Sequence, residues 1–478
     1  MKILLTHGYF INEDNREQVI MKPYVPLGML YISGFLEQHG YDNVVFDSTF
    51  SSFDQLCQTL IKQLPDVVGI YTNLMTKVNV LRVINFIKTN AALSKTRIVL
   101  GGPEVRNHAR NFLDHGADFI VFGEGEQTML ELVQWLDGRS IKNIAQIEGI
   151  AFLTEKNEIK QNPERQKLKD LDVLPLPNRK KVNLQLYFDA WKSHHGTSAI
   201  SINTMRGCPY TCKWCSRAVY GQSYRRRSPG NVVNEMEWIQ KYYSVDTVWF
   251  VDDVFTISHK WLEEFAQQVK DRKLDFPYEC ITRADRMSEE VINLLRESGC
   301  FRVWIGAESG SQKVIDLMDR RVEVQQVQEM IQLSKRNGLQ AGTFIMVGYP
   351  GETAEDIYAT VRHLKKADPD FFTITIAYPI KGTELYAEVE DRFIQKLAWD
   401  KSTDRDIDFE RTYNRHYYDH AIKMINNEIF YHKALKKPFA NLFRLPVYKL
   451  KSTLAKSGML LQQLKSKQPS FRLKATHF

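Results

Sequence analysis

The sequence predicts an α/β protein: a doubly wound parallel sheet, then a partial (β/α)6 barrel, then a mostly helical, basic C-terminal extension. Three observations carry that prediction. Short apolar runs alternate with amphipathic stretches five times in residues 1–140, and six times more in residues 196–390. This is the pattern of consecutive βα units. Beyond the second series the charge changes sign. Residues 433–478 hold nine Lys, two Arg and no acid, a balance of +11 against +7 for the whole chain, so the preceding body is −4.

At 478 residues and 43% hydrophobic, the chain can bury the cores of two or three domains, which excludes a disordered protein. No apolar run reaches eighteen residues, so no membrane span is expected. The opening run, Ile3-Leu4-Leu5-Thr6-His7, reads as a buried strand too short for a secretory signal, and a cytoplasmic location is expected.

In residues 1–140, strands are expected over 2–6, 43–47, 67–71, 97–101 and 118–122, with helices over 28–39, 53–63, 77–92, 105–114 and 126–136. Five βα units of this size suggest a flavodoxin-like strand order 2-1-3-4-5, in which ligands bind beyond the carboxyl ends of the strands. Three small-residue turns fall there: Tyr71-Thr72-Asn73, Gly101-Gly102-Pro103-Glu104 and Gly123-Glu124-Gly125-Glu126. Residues 141–195 read as a hairpin over 149–162 and an extended linker marked by Pro175 and Pro177. In residues 196–390, strands are expected over 199–203, 247–251, 278–282, 302–306, 342–346 and 372–376, separated by helices. Six such units suggest a partial TIM-like barrel, whose chemistry sits at the carboxyl ends of its strands.

Six cysteines are present. Cys57, Cys280 and Cys300 fall within helix or strand patterns and read as core thiols. The other three lie in Arg206-Gly207-Cys208-Pro209-Tyr210-Thr211-Cys212-Lys213-Trp214-Cys215, directly after the first barrel strand. Thiolates spaced C-x3-C-x2-C suit an iron–sulfur cluster or zinc. A loop this tight can wrap three corners of a [4Fe–4S] cubane and leave the fourth iron open, the coordination logic of a catalytic site. The competing reading is a Cys3His zinc site using His194 or His195, which precede the strand and belong to its far end.

C-x3-C-x-aromatic-C after a first strand resembles the signature of the radical S-adenosylmethionine (SAM) superfamily. In that family SAM binds the open iron through its amino and carboxylate groups. An electron from the cluster then cleaves the sulfonium to give a 5′-deoxyadenosyl radical. The resemblance implies that Cys208, Cys212 and Cys215 hold the cluster. It places Trp214, Arg283, Glu308, Ser309, Val347 and Gly348 around SAM, with Arg283 a candidate for its carboxylate. The alternative for Arg283 and Glu308 is an internal ion pair. Asp252 and Asp253 read equally as substrate-facing acids or strand-end hydrogen-bonding groups. The basic loop Tyr224-Arg225-Arg226-Arg227 reads as facing an anionic ligand or as simply solvated.

The first unit resembles the cobalamin-binding domains fused to such barrels, through Tyr24-Val25-Pro26-Leu27-Gly28-Met29-Leu30-Tyr31 and the turns after strands four and five. The resemblance implies a cobalamin site at Thr72, Asn73, Gly101, Gly102, Pro103, Glu104, Gly123, Glu124, Gly125 and Glu126. The Asp-x-His-x-x-Gly loop that places histidine on cobalt in many cobalamin proteins is absent, and neither His7 nor His108 has its context. The implied function is cobalamin-dependent C-methylation of a small-molecule substrate. Radical cyclisation or oxidation, as in the anaerobic cyclase of chlorophyll biosynthesis, is one alternative; a non-catalytic metal-binding scaffold is another. The implied partner is an external electron donor such as flavodoxin or ferredoxin. The basic tail suggests contact with an anionic membrane surface or an acidic partner, or a solvated extension. With few aromatics among its charges, it gives no reason to expect a nucleic-acid partner.

Overall fold

The structure, a computed structural model, describes residues 1–436 and 438–466. Strands β1 (Ile3–His7), β2 (Asn43–Phe46), β3 (Val67–Tyr71), β4 (Arg97–Gly101) and β5 (Phe119–Val121) form a parallel sheet in the order 2-1-3-4-5. The hairpin β6 (Ile150–Leu153) and β7 (Ile159–Gln161) extends it antiparallel beyond β5. β1, β3 and β4 read as continuous apolar runs because helices cover both faces. These helices are α2 (Leu27–Gln38), α3 (Phe53–Gln63), α4 (Lys77–Thr89), α5 (Ala109–Asp114) and α6 (Gly125–Leu136), whereas the short α1 (Asn15–Ile20) buries none of its residues. Two apolar cores result, one on each face of the sheet.

The expected linker contains a helix, α7 (Leu184–His195), which corrects the sequence reading. Its Asn183 cap accepts from the Gln185 N–H, Gly196 ends it at φ +80°, and Leu184, Tyr187, Phe188 and Trp191 are buried. Those four positions follow helical spacing. They bury two walls at once, since the Tyr187 hydroxyl donates to Asp47 of the first unit at 2.8 Å while Phe188 joins the barrel core.

The second sheet is wholly parallel and runs in chain order through β8 (Ala199–Ile202), β11 (Thr247–Phe250), β12 (Tyr278–Thr282), β13 (Cys300–Glu308), β14 (Gln340–Val347) and β15 (Phe371–Ile376). Two short strands, β9 (Met205–Arg206) and β10 (Arg225–Arg226), pair antiparallel and brace the cysteine loop between them. Around the open barrel lie α8 (Pro229–Tyr242), α9 (His259–Asp271), α10 (Glu289–Glu297), α11 (Gln312–Leu317), α12 (Val324–Arg336), α13 (Ala354–Ala367) and α14 (Glu384–Val389). The extension is a helical hairpin, α15 (Arg415–Leu435) and α16 (Arg444–Ser466). Pro438 falls between the two, and Pro446 sits in the first turn of α16, where its missing N–H costs no intrahelical bond. Residues 467–478 of the basic tail lie outside the described residues. Among the described residues no helix is long and apolar enough to cross a membrane.

Candidate functional site

The carboxyl ends of both sheets face each other, and three cavities meet there. Pro103, after β4, lines all three.

The first cavity, of about 360 Å³, lies at the barrel mouth and is lined by Cys208, Cys212, Trp214, Cys215, Asp253 and Glu308 among others. The loop carrying the cysteines is held on both flanks. Gly207, at φ +87°, lies so close to Ser223 that a Cβ would strike it. Farther along, the Lys213 N–H donates to the Met318 carbonyl at 3.2 Å. Beneath the loop, Asp252 accepts from the Thr204 and Met205 N–H groups at 2.7 and 3.1 Å. Asp252 is therefore a strand-end brace, whereas Asp253 faces the cavity. Burial, then the neighbouring Asp252, push the Asp253 carboxyl up. Burial also raises the Cys208 and Cys215 thiols. Among the described residues, the three sulfurs share this cavity without being gathered into a ready-made set of metal ligands. His195 turns to the carbonyls of Ile20 (3.0 Å) and Met21 (3.1 Å) and His194 to that of Ala190 (3.0 Å), so neither supplies a zinc ligand.

Arg320, which no motif singled out, faces this cavity. Its Nη1 lies 3.7 Å from Cys212 Sγ and its Nη2 lies 3.9 Å from Glu308 Oε1. Arg283 does not line the cavity. Its Nε donates to Asp285 (2.8 Å) and its Nη2 to the Arg320 carbonyl (2.8 Å), its Nη1 lies 3.9 Å from Cys212 Sγ, and its guanidinium lies 3.7 Å over the Tyr210 ring. The internal pair expected between Arg283 and Glu308 is thus made by Arg320 instead. Glu308 sits at φ +63°, where a left-handed backbone turns the end of β13, and burial raises its carboxyl against the pull of Arg320 and Arg283. Ser309 is buried beside Thr360 and caps the next turn by accepting from the Ser311 N–H at 3.1 Å. Val347 is buried, and the Gly348 N–H donates to Glu352 at 2.6 Å, with Tyr418 of α15 close to the glycine. Ser309, Val347 and Gly348 therefore shape the wall from behind and do not line the cavity.

The second cavity, of about 240 Å³, is mostly apolar and opens at the ends of β1, β3, β4 and β5. Gly28, Gly69, Gly101, Gly102, Gly123 and Gly125 line it. At Gly69 a Cβ would meet Leu5 at 2.7 Å, and Gly102, at φ +104°, has no room for one against Thr72. The cradle is thus cut to backbone depth. Of the ten residues expected here, seven line it. Thr72 is fully buried, its hydroxyl without a partner, while Asn73 and Glu104 face the third cavity. Glu124 and Glu126 also pair with the barrel: Arg206 donates to Glu124 at 3.0 Å and to both Glu126 oxygens, and Arg225 donates to Glu124 at 2.7 Å. The basic loop therefore turns inward. Arg225 holds Glu124, Arg226 stacks 3.4 Å over Trp261, and Arg227 pairs with buried Glu235, which corrects both readings of that loop. Val219 and Tyr220, from the loop after the cysteines, close this cavity and line the first. Nothing in their sequence marks them.

The third cavity, of about 570 Å³, is the most polar. It is lined by Asn73, Glu104 and His108 of the first unit, Ser216 after the cysteines, Tyr378 and Lys381 after β15, and Arg405 and Arg415 of the extension. Glu104 Oε1 and both His108 ring nitrogens are buried without hydrogen-bond partners, although the two side chains approach to 3.6 Å. Burial, then Asp404, push the Glu104 carboxyl up to about 7. Burial, then Lys381 and Lys77, push the His108 imidazole down to about 3.

Comparison with known proteins matches these units separately. The model of the Radical SAM superfamily matches residues 202–364, and that of the B12 binding domain matches residues 19–133. An uncharacterized methyltransferase of Pyrococcus horikoshii is 28% identical over 473 residues, 97% of each chain. The anaerobic magnesium-protoporphyrin IX monomethyl ester cyclase of Rubrivivax gelatinosus is 28% identical over 405 residues, covering 82% of this chain and 70% of the cyclase. Among solved structures, the cobalamin-dependent S-adenosylmethionine radical enzyme OxsB, with aqua-cobalamin and S-adenosylmethionine bound, superposes with a TM-score of 0.73 at 15% identity. That superposition covers 95% of this chain and 72% of OxsB, a likeness of fold.

Proposed function

Because this chain is a radical SAM enzyme carrying a B12-binding domain, we propose that it is a cobalamin-dependent methyltransferase acting on carbon in a small molecule. Its cofactors are a [4Fe–4S] cluster, SAM and cobalamin, and it requires a small-molecule substrate and an electron donor. The observation that carries the methyl-transfer reading is the meeting of three cavities at Pro103: one rich in cysteine, one cut by glycines, one polar.

In this reading Cys208, Cys212 and Cys215 hold the cluster, Trp214 and Glu308 face SAM, and the Gly101–Gly102 and Gly123–Gly125 turns receive cobalamin. Bound there, one SAM at the cluster would supply the carbon radical that takes hydrogen from substrate, and cobalamin, methylated by a second SAM, would supply the methyl group. The protein's part is positioning. Arg320 sets a fixed positive charge beside Cys212 and Glu308. Val219 and Tyr220 form the partition between the cysteine cavity and the glycine cavity. Ser216 borders both the cysteine cavity and the polar one. Substrate in the polar cavity would reach both cofactors across Pro103, with Glu104 Oε1 and the His108 ring nitrogens, which make no hydrogen bond within the chain, available to its polar groups.

The test is anaerobic reconstitution with iron, sulfide and hydroxocobalamin, followed by turnover with methyl-deuterated SAM and a strong reductant. The expected result is about four irons and one corrin per chain, 5′-deoxyadenosine, and a product heavier by one labelled methyl group. The triple variant Cys208→Ala, Cys212→Ala, Cys215→Ala should lose iron and keep corrin. Gly28→Leu, which fills the glycine cavity from an unstrained helical position, should lose corrin and keep iron. Four irons with no corrin in wild-type protein would overturn the reading. So would a product that gains no carbon, as cyclisation or oxidation gives.

A further inference from the structure

The outer face of α16 carries exposed apolar side chains toward both ends, with Ser457 between them. Its inner face is fixed against α15: Ser452, Ala455 and Met459 are buried, and Gly458 lies where a Cβ would strike His420. Asn414 donates to Gln462 at 3.1 Å, and Glu428 accepts from Ser452 at 2.7 Å and Lys456 at 2.6 Å. This docking leaves Val447, Leu450, Leu454, Leu461 and Leu464 exposed, at spacings that keep them on one side of the helix. The turn before α16 continues the stripe with Leu442, Phe443 (88% exposed) and Phe439 (97% exposed). Lys449, Lys451 and Lys465 flank it, and no acid occurs from Lys433 to Phe478. At 1.5 Å per residue a helix of this length presents a strip about 35 Å long.

We propose that this face docks the protein on an anionic lipid surface. The helix would lie in the interface plane, its leucines in the acyl boundary and its lysines among the phosphates. Charge and shape select this occupant. A second copy would bring its own +11 segment against the first, and like charges at contact oppose association. A planar anionic surface satisfies the straight apolar stripe and the lysines on both sides of it together. This inference is independent of which reaction the cavities perform.

The experiment is cosedimentation of the full reconstituted chain with vesicles of phosphatidylcholine alone or phosphatidylcholine with phosphatidylglycerol, at low and high salt. Wild-type protein should bind the anionic vesicles at least about tenfold more strongly than the neutral ones, with binding weakened by salt. The variant Leu450→Glu, Leu454→Glu, Leu461→Glu changes only exposed positions. It should stay in the supernatant while keeping its circular dichroism and its iron and corrin content. Replacing Lys449, Lys451 and Lys465 by Gln should remove the preference for anionic lipid. Wild-type protein that stays in the supernatant with anionic vesicles, or a leucine variant that binds as wild type does, would overturn the proposal. A concentration-dependent dimer in ultracentrifugation that the leucine variant abolishes would overturn it in favour of a second copy.

Discussion

Arg320 lies 3.7 Å from Cys212 Sγ and 3.9 Å from the Glu308 carboxylate, so its removal leaves a buried acid without its counter-charge beside the cysteine loop. Arg320→Met should lower 5′-deoxyadenosine formation by about 10–100-fold, the usual cost of losing a group that orients metal ligands. Iron content measured in parallel separates loss of the cluster from loss of rate. Glu104 shows a different signature. Its folded carboxyl titrates at about 7 against an ordinary 4.5, so its contribution to stability is complete below pH 4.5 and is lost as pH rises through 7. The loss amounts to about 3 kcal/mol. Glu104→Gln should flatten that slope in urea unfolding compared at about pH 5 and about pH 8. At this scale the sequence announces the cysteines and glycines that line the cavities better than the side chains that support them. The cysteine spacing and the glycine turns stand out because few residue types can do those tasks. Arg320, Val219 and Tyr220 take their places only from what the fold brings opposite them, and Arg283 and Ser309 likewise find partners distant in sequence, Arg320 and Thr360.

Parallel strands buried on both faces leave continuous apolar runs, so both sheets and most of their helices could be placed from sequence to within a residue or two. Helix α7 was hidden by context. Pro175 and Pro177 mark an extended path, yet Leu184, Tyr187, Phe188 and Trp191 carry a full helical stripe just beyond it. The stretch read as one helix over 105–114 breaks into a short 3-10 turn and α5, because His108 interrupts it at φ −134°. In the C-terminal hairpin, Glu428 latches α16. Burial raises its carboxyl, but hydrogen bonds from Lys365, Lys456 and Ser452 outweigh that and hold it down to about 2. A depressed carboxyl stabilises above its ordinary value of 4.5, and that stability is lost as pH falls toward 2. Hydrogen exchange should therefore show α16 opening ahead of the barrel below about pH 4. Glu428→Gln should open it already at neutral pH.

The two sheets are joined by more than chain connectivity. Arg206, two residues before Cys208, carries the Glu124 and Glu126 ion pairs across the boundary, with Tyr31 and Tyr220 rings 5.4 and 5.5 Å from its guanidinium. Removing one partner of a buried pair costs about 3–5 kcal/mol. Arg206→Ala should therefore loosen the two units, seen as a larger radius in small-angle scattering and faster proteolysis within residues 162–183. No sequence pattern forecasts such an arrangement, because the arginine lies 82 and 80 residues from its glutamates and meets them only once both sheets exist. Pro103, standing between three chambers, has a further consequence. A ligand that displaced this shared residue on filling one chamber would change affinity in the other two, and each of them would act back on the first by the same factor.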